Sequence, residues 1–361
     1  MLTLRRGIGV VAAASLLLTG TAHADAGTWR SVPSPFVPGG TLSGVAAVSA
    51  SDAWVVGTYA HLGSTVFDHP QPVMQRWTGS GWQGYPLPGW PADGSLLGVA
   101  ALSANDVWAA GYQADPGGTR KRWVVHFDGT AWRTVQLPGG DDGLSYTASV
   151  AAADGRVWIA FDGRVYGLAG GTWTSTNLPD HTPADLNART ASDVWAVGRT
   201  RTWNGTTVMH PTAQHWDGRT WTARPITAWP DEAQPTDVVA VGPDDVWAAG
   251  TYYDRTTGTT TSRLAHWNGT TWTNEPIPTG VAQIESLTRD PSGGAYATGR
   301  ATDTQAAPAV LHLTAGTWRR IPVPDSLGTW NATLTDTSTT PTGTLWSVGT
   351  STLGTLTMTN G

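Results

Sequence analysis

Residues 190–198 read TASDVWAVG and residues 215–221 read HWDGRTW, and versions of this pair return along the chain. Close copies of the first element are SASDAWVVG at 49–57, SANDVWAAG at 103–111 and PDDVWAAG at 243–250. Self-similarity at a period of about 50 residues is typical of a β-propeller, in which each copy forms one blade. The repeat therefore predicts an all-β fold built from like units.

The repeat occurs seven times, but one copy is split between the two ends of the chain. Its first aromatic residue lies at Trp54, Trp108, Trp158, Trp195, Trp247, Tyr296 and Trp346. The tryptophan that closes the following hairpin lies at Trp82, Trp132, Trp173, Trp221, Trp272 and Trp318, one copy short. The chain ends with TNG at Gly361, and AGTWRSVPSP at 26–35 supplies the missing hairpin with Trp29. We therefore predict that the N-terminal strand completes the last blade, which removes exposed sheet edges.

Prolines indicate which strand of each unit is outermost. Counted from the hairpin tryptophan, they fall four or six residues later and never five residues later. Even offsets in a strand share one backbone direction, and proline cannot donate a hydrogen bond to a sheet. The spacing predicts seven blades of four antiparallel strands, with the fourth strand at the rim and the first strand lining the central axis.

The first residues have the pattern of a secretory signal. Arg5 and Arg6 precede an apolar segment, and the small-x-small triplet AHA at 22–24 follows it. We expect residues 1–24 to be a signal peptide and residues 25–361 to form a single propeller domain. The apolar segment is shorter than the roughly 20 residues that span a bilayer, so we expect a secreted, extracellular protein without a membrane span.

Composition excludes several classes of function. The net charge is −6 and no basic stripe is present, which argues against a nucleic acid partner. Cysteine is absent, so disulfides and thiolate chemistry are excluded. No phosphate-binding loop or hydrolase motif is present, and no cofactor is predicted.

The repeat assigns most aromatic residues to structure. Sixteen of the 21 tryptophans recur at fixed places, where a ring packs blade against blade. Histidine recurs one position before the third-strand aromatic, at His126, His215, His266 and His312. Because successive blades lie around a ring, these side chains cannot share one metal ion, and no metal site is predicted. We expect a hydrogen bond to a nearby turn, at Asp106, Asp193 or Asp245.

Four of the five remaining tryptophans are predicted to gather on one face of the propeller, which we call the loop face. They are Trp90, Trp203, Trp229 and Trp330. These residues lie in loops between second and third strands or between blades, and both kinds of loop emerge on that face. Aromatic rings on rigid loops bind sugar rings or a partner's side chains. Capping of the blade ends is an equally good interpretation of the same residues.

Carboxylates of the inner strands support an alternative. Asp185 and Asp237 each lie ten residues before a second-strand anchor, and Glu285 lies near that position in the next unit. They are expected near the mouth of the central channel, where they could be simply hydrated, bind calcium or act as acid and base. The catalytic alternative is thus an extracellular glycoside hydrolase or lyase that uses these three residues.

The third unit carries a resemblance to a known family. Residues 153–179, ADGRVWIAFDGRVYGLAGGTWTSTNLP, resemble the tectonin repeat, a lectin-type propeller unit with a DG-x-V-W strand and a G-x-x-W hairpin. The other units look like a longer version of that blade, although Tyr296 replaces the anchor tryptophan and Leu313 a third-strand aromatic. The resemblance implies glycan binding and transfers no ligand residue.

These features favour a secreted, monomeric and non-enzymatic propeller that binds a glycan or cell-surface polysaccharide through the loop face. The alternatives are the hydrolase or lyase at the channel mouth and a scaffold for an extracellular protein. A propeller's repeats specify the platform and leave the ligand to its loops, so the sequence does not choose among them.

Overall fold

Seven four-stranded antiparallel sheets correspond one to one with the seven repeats in the computed structural model. The structure describes residues 29–33, 40–60, 70–89, 93–114, 119–139, 147–178, 180–203, 205–303, 307–323, 331–352 and 354–361. The sheets are the blades of a β-propeller, which confirms the predicted fold class.

The first two strands of each blade form its inner half. The innermost strands are β2 (Thr41–Ser49), β6 (Gly94–Ser103), β10 (Ser149–Ala153), β14 (His181–Thr190), β18 (Gln234–Gly242), β22 (Val281–Arg289) and β26 (Thr333–Thr339). The second strands are β3 (Asp52–Ala60), β7 (Asp106–Ala114), β11 (Arg156–Phe161), β15 (Asp193–Trp203), β19 (Asp245–Asp254), β23 (Ala295–Ala301) and β27 (Leu345–Ser351).

The last two strands form the outer half. The third strands are β4 (Pro70–Trp77), β8 (Arg120–Phe127), β12 (Arg164–Ala169), β16 (Thr207–Trp216), β20 (Thr259–Trp267), β24 (Pro308–Thr314) and β28 (Gly354–Thr359). The rim strands are β1 (Arg30–Ser31), β5 (Trp82–Gly84), β9 (Trp132–Thr134), β13 (Thr172–Asn177), β17 (Trp221–Pro225), β21 (Trp272–Glu275) and β25 (Thr317–Ile321). The fourth strand is outermost in every sheet, as the proline spacing predicted, and the described prolines that follow the hairpin tryptophans lie at or beyond the ends of these short strands.

The N-terminal strand completes the last blade. β1 pairs with β28 in the order β1-β28-β27-β26, with Arg30 opposite Thr359. The Arg30 side chain also donates a 2.7 Å hydrogen bond to the carbonyl oxygen of Gly361. Trp29 is buried in the core of this blade. Closure of the ring by the two chain ends is therefore confirmed.

The repeated tryptophans pack each blade against the next. The buried ring of Trp54 in the first blade meets Trp132 of the second blade edge to face, with centroids 5.3 Å apart. Three further pairs repeat this geometry, Trp108–Trp173, Trp195–Trp272 and Trp247–Trp318. A T-shaped pair of this kind contributes about 0.5–1.5 kcal/mol beyond the area that it buries. Most of the tryptophan content is thus used in the interfaces between blades.

The described residues do not include the expected signal peptide, but they do bear on the expected absence of a membrane span. The signal peptide expected at residues 1–24 lies outside the described residues, so its prediction stays a prediction. Within the described residues, no helix has the length and apolar character needed to cross a membrane.

Candidate functional site

A bulge in the inner strands sets the geometry of the channel wall. In the last blade, Gly349 lies so close to β26 that a Cβ atom on it would come within 1.9 Å of the Thr333 carbonyl oxygen. Opposite this glycine, β26 shifts register between Leu334 and Asp336. All six blades that have this glycine show a register shift opposite it, whereas in the third blade Phe161 replaces the glycine and lies just outside the β10–β11 ladder. The repeated glycine therefore makes room for the bulge.

The residue after the bulge reaches the next blade. Asp336 Oδ2 accepts a 2.7 Å hydrogen bond from the backbone N–H of Val45, across the junction of the last and first blades. Asp185 Oδ2 accepts a 3.3 Å hydrogen bond from the N–H of Val238 in the same way. We call these contacts inner-strand links. They satisfy backbone donors on the channel wall, which a buried donor requires.

Asp237 likewise accepts a hydrogen bond from the backbone N–H of Leu287 in the next blade, so three of the linking residues are aspartates, and their charges interact. Burial raises the pKa of Asp336 to about 7, with a further contribution from the negative charge of Asp185. Burial, followed by the charges of Asp185 and Asp336, raises the pKa of Asp237 well above its ordinary value. Burial also raises the pKa of Asp185, against a 2.8 Å hydrogen bond from the Ser149 hydroxyl. Like charges in one poorly solvated site resist ionisation, so this group retains protons near neutral pH.

Asp336 was missed by the sequence analysis. It lies ten residues before Trp346, the spacing that singled out Asp185 before Trp195. Applying the spacing to the last blade would have found it. Its contact with the first blade could not be predicted from the neighbouring sequence, because Val45 lies 291 residues away along the chain.

The predicted carboxylates line one central channel of about 750 Å³. Asp185, Asp237 and Glu285 all lie on its wall, together with Asp336. Glu285 is half-buried, and burial raises the pKa of its carboxyl against the opposing charge of Arg300. Among the described residues, no group of three acidic, histidine or cysteine side chains could hold a metal ion.

The hydrogen bonding of these aspartates favours a structural role over a catalytic one. In both Asp185 and Asp336, one carboxyl oxygen accepts a hydrogen bond from a backbone N–H and the other accepts one from a serine hydroxyl. The serines are Ser149 and Ser286 respectively. A general acid needs an oxygen that is free to face a substrate. The raised pKa values follow from blade packing, so they do not by themselves mark an active site.

The four loop tryptophans do not form one surface in the described part of the structure. Trp203 is at the end of β15 with 73% of its surface exposed, whereas Trp229 is 5% exposed. Trp229 packs between the fourth and fifth blades against Trp195 and Ala248, so its ring offers no face to a ligand. The expectation that Trp229 binds a ligand is corrected accordingly. Trp90 and Trp330 lie outside the described residues.

The recurring histidines bond the turns as expected. His126 Nε2 lies 2.9 Å from Asp106 Oδ1, and the indole N–H of Trp108 donates to the same oxygen at 2.8 Å. The imidazole also stacks on Trp108 with centroids 4.0 Å apart. The same arrangement joins His215 to Asp193 and His266 to Asp245. Each histidine thus fixes its anchor tryptophan within one blade.

A hydroxyl, an imidazole and a carboxylate lie in a row beside Trp203. Thr202 Oγ1 is 2.8 Å from His210 Nε2, and His210 Nδ1 is 2.6 Å from Asp231 Oδ1. This order resembles a nucleophilic triad, in which the carboxylate is sheltered from water. Here the Asp231 side chain is 61% exposed. We therefore interpret the row as a tether that holds the β15–β16 hairpin to the loop before β18.

No family model and no curated protein sequence matches the chain. The likeness of residues 153–179 to the tectonin repeat therefore stays an interpretation of the residues. Solved structures, by contrast, match over most of the chain.

The GH74 xyloglucanase from Xanthomonas campestris is 13% identical with a TM-score of 0.56, over 92% of this chain and 53% of that one. The extracellular domain of a candidate one-component system from B. thetaiotaomicron is 11% identical with a TM-score of 0.57, over 92% and 40%. A chain of the mitotic checkpoint complex is 10% identical with a TM-score of 0.56, over 99% and 98%.

These likenesses show the fold alone. The chain spans about half of the xyloglucanase chain and two fifths of the chain with the extracellular domain. In all, 331 solved chains match, and a fold shared so widely does not select a function.

Proposed function

We propose that this chain is a secreted binding protein that recognises carbohydrate through the loop face of its propeller. The proposal includes export after cleavage near Ala24 and a single domain over residues 25–361. Binding without catalysis is proposed because the channel aspartates are engaged in inner-strand links and Asp231 beside His210 is exposed to water.

Exposed aromatic rings on two neighbouring hairpins carry the proposal. Within the described residues, the exposed large apolar side chains are Trp203 at 73% and Tyr253 at 51%. Trp203 lies at the end of β15 and Tyr253 near the end of β19, on second-strand hairpins of the fourth and fifth blades. A ring left open to water on a rigid hairpin costs free energy of hydration and is suited to stack on the apolar face of a sugar.

Two further observations support a carbohydrate ligand. The third unit resembles the tectonin repeat of lectin propellers. One of the matching structures is a xyloglucanase, whose chain contains a comparable propeller. A fold shared at low identity is compatible with this ligand class and does not require it.

Binding to a glycan array, peptidoglycan and chitin tests the proposal. The wild-type protein should bind at least one of these, and Trp203→Ala should weaken that binding about tenfold or more, since central aromatic contacts dominate such interfaces. Trp203→Phe keeps an aromatic face and should retain more binding than Trp203→Ala. Absence of binding across the whole panel, or an unchanged affinity in Trp203→Ala, would overturn the proposal.

A further inference from the structure

The fourth and fifth blades face each other beside Trp203, and we call the space between their hairpins the cleft. Along β15, side chains alternate between the two neighbouring blades. Trp195 and Val197 pack against the fifth blade, so Arg199, Arg201 and Trp203 continue along the same face above them. This face of the hairpin therefore presents two guanidinium groups and an indole to the cleft.

The fifth blade supplies the opposite wall. Tyr252 packs against the core cluster shared with the fourth blade, which places it on the side that faces β15. Arg263 pairs with Gly250 on the neighbouring strand, and its guanidinium carbon lies 5.3 Å from the Tyr252 ring centroid. Trp229 fills the base of the cleft, where a Cβ on Gly250 would come within 2.9 Å of its ring.

The three arginines of the cleft have no acidic partner in the described part of the chain. Four other arginines do pair with a carboxylate, for example Arg76 with Asp52 at 2.7 Å and Arg133 with Asp128 at 2.8 Å. Arg263 Nε is buried and has no hydrogen-bond acceptor. Nε is closed to solvent, so an acceptor from outside can reach the partly exposed Arg263 side chain only through its terminal guanidinium nitrogens.

Acidic residues around the cleft are engaged elsewhere. Asp231 bonds His210 at 2.6 Å, and Glu232 accepts the N–H of Met209 at 3.1 Å. Asp254 accepts N–H groups of its own turn, at 2.8 Å from Thr256. These carboxylates are therefore not paired with the three arginines, whose guanidinium groups remain available to an external carboxylate.

We propose that this cleft binds uronate residues of an acidic polysaccharide. The planar guanidinium groups of Arg199, Arg201 and Arg263 match the bidentate geometry of a carboxylate. Trp203 and Tyr252 provide rings against which the sugar carrying that carboxylate stacks. The inference rests on the proposed carbohydrate function and narrows it to one ligand class.

Titration calorimetry with oligogalacturonate and its fully methyl-esterified form tests the inference, because esterification removes the carboxylate charge and adds only a methyl group to each sugar. Wild-type protein should bind the free acid about tenfold or more tightly than the ester, and added salt should weaken binding of the acid. Arg199→Gln combined with Arg201→Gln should lower the affinity for the acid about tenfold or more. Arg219→Gln, in the exposed turn on the opposite side of the fourth blade, is the matched control and should change nothing.

The outcomes separate this inference from the proposed function. Suppose that the acid and the ester bind with equal affinity, and that this affinity falls in Trp203→Ala but not in the arginine variants. The proposed carbohydrate binding would then stand, and the uronate site would be overturned. Equal or tighter binding of polyglycerol phosphate or dextran sulfate would also overturn it. If the double variant does not fold, Arg201→Gln alone, at an exposed position, decides the result. Failure to bind any glycan would overturn both proposals.

Discussion

One residue departs from the repeat in a way that affects stability. His181 lies fourteen positions before Trp195, where the equivalent residues of the fifth and last blades are the buried Ala233 and Ala332. Its side chain is 1% exposed, and neither ring nitrogen has a hydrogen-bond partner. Burial lowers the pKa of His181 to about 4. The imidazole is therefore neutral in the folded protein at pH values where the unfolded chain is protonated.

This burial predicts an acid-sensitive stability. Between pH 6.5 and pH 4 the unfolded state binds a proton that the folded state does not, so the free energy of unfolding falls as the pH falls, by up to about 3 kcal/mol from His181. Urea denaturation of wild type and His181→Ala at pH 7.5 and pH 4.5 measures this. The variant should lose less stability on acidification than wild type, whatever its stability at pH 7.5. The other titrating groups are common to both proteins, so parallel pH profiles would contradict the prediction.

At the scale of the strand, the repeated glycine and the bulge of the inner strand depend on each other. The glycine three residues after the anchor lies against a carbonyl oxygen of the inner strand in six blades, and each of these six inner strands shifts register opposite it. The bulge then directs the side chain of the following residue towards the next blade. A motif that looks like a simple strand pattern in the sequence thus determines which side chains form inner-strand links.

Adding a methyl group at this glycine should destabilise the blade. In Gly349→Ala the new Cβ would lie 1.9 Å from the Thr333 carbonyl oxygen, so backbone must shift. Overpacking of this kind costs about 1–3 kcal/mol. Gly84→Ala is the matched control, because nothing lies within 4 Å of its Cβ position. Thermal denaturation should show a lower melting temperature for Gly349→Ala only, and equal melting temperatures would refute the role of the bulge.

Across the whole molecule, the blades of the ring are joined by inner-strand links, and some of these links use carboxyl groups whose pKa is raised. Asp336 joins the last blade to the first and interacts with Asp185 and Asp237 across the channel. Because its pKa is about 7 in the folded protein and lower in the unfolded chain, the folded state binds more protons between about pH 4 and pH 7. This group therefore makes the ring less stable as the pH rises through that window, which is opposite to the effect of His181.

Removing the charge should stabilise the closed ring at high pH. Asp336→Asn keeps an oxygen for the Val45 N–H and abolishes the ionisation, so we expect a free energy of unfolding higher than wild type by up to about 4 kcal/mol at pH 8. At pH 4 the two proteins should differ much less, since Asp336 is protonated there. Urea denaturation at both pH values measures this, with Asp336→Ala as the variant that loses the link. A lower stability of Asp336→Asn at pH 8 would show that the negative charge itself is needed.

The sequence determined the number of blades, the order of strands and the closure by Trp29, because these follow from a local period and from where each copy begins and ends. It also located the histidine contacts, since donor and acceptor lie within one unit. The tertiary structure alone decided that Trp203 is exposed while Trp229 is buried, and that Asp336 bonds the first blade. The environment of each of these side chains is set by a neighbouring blade, and the period of the repeat carries no information about which residues the neighbour places there.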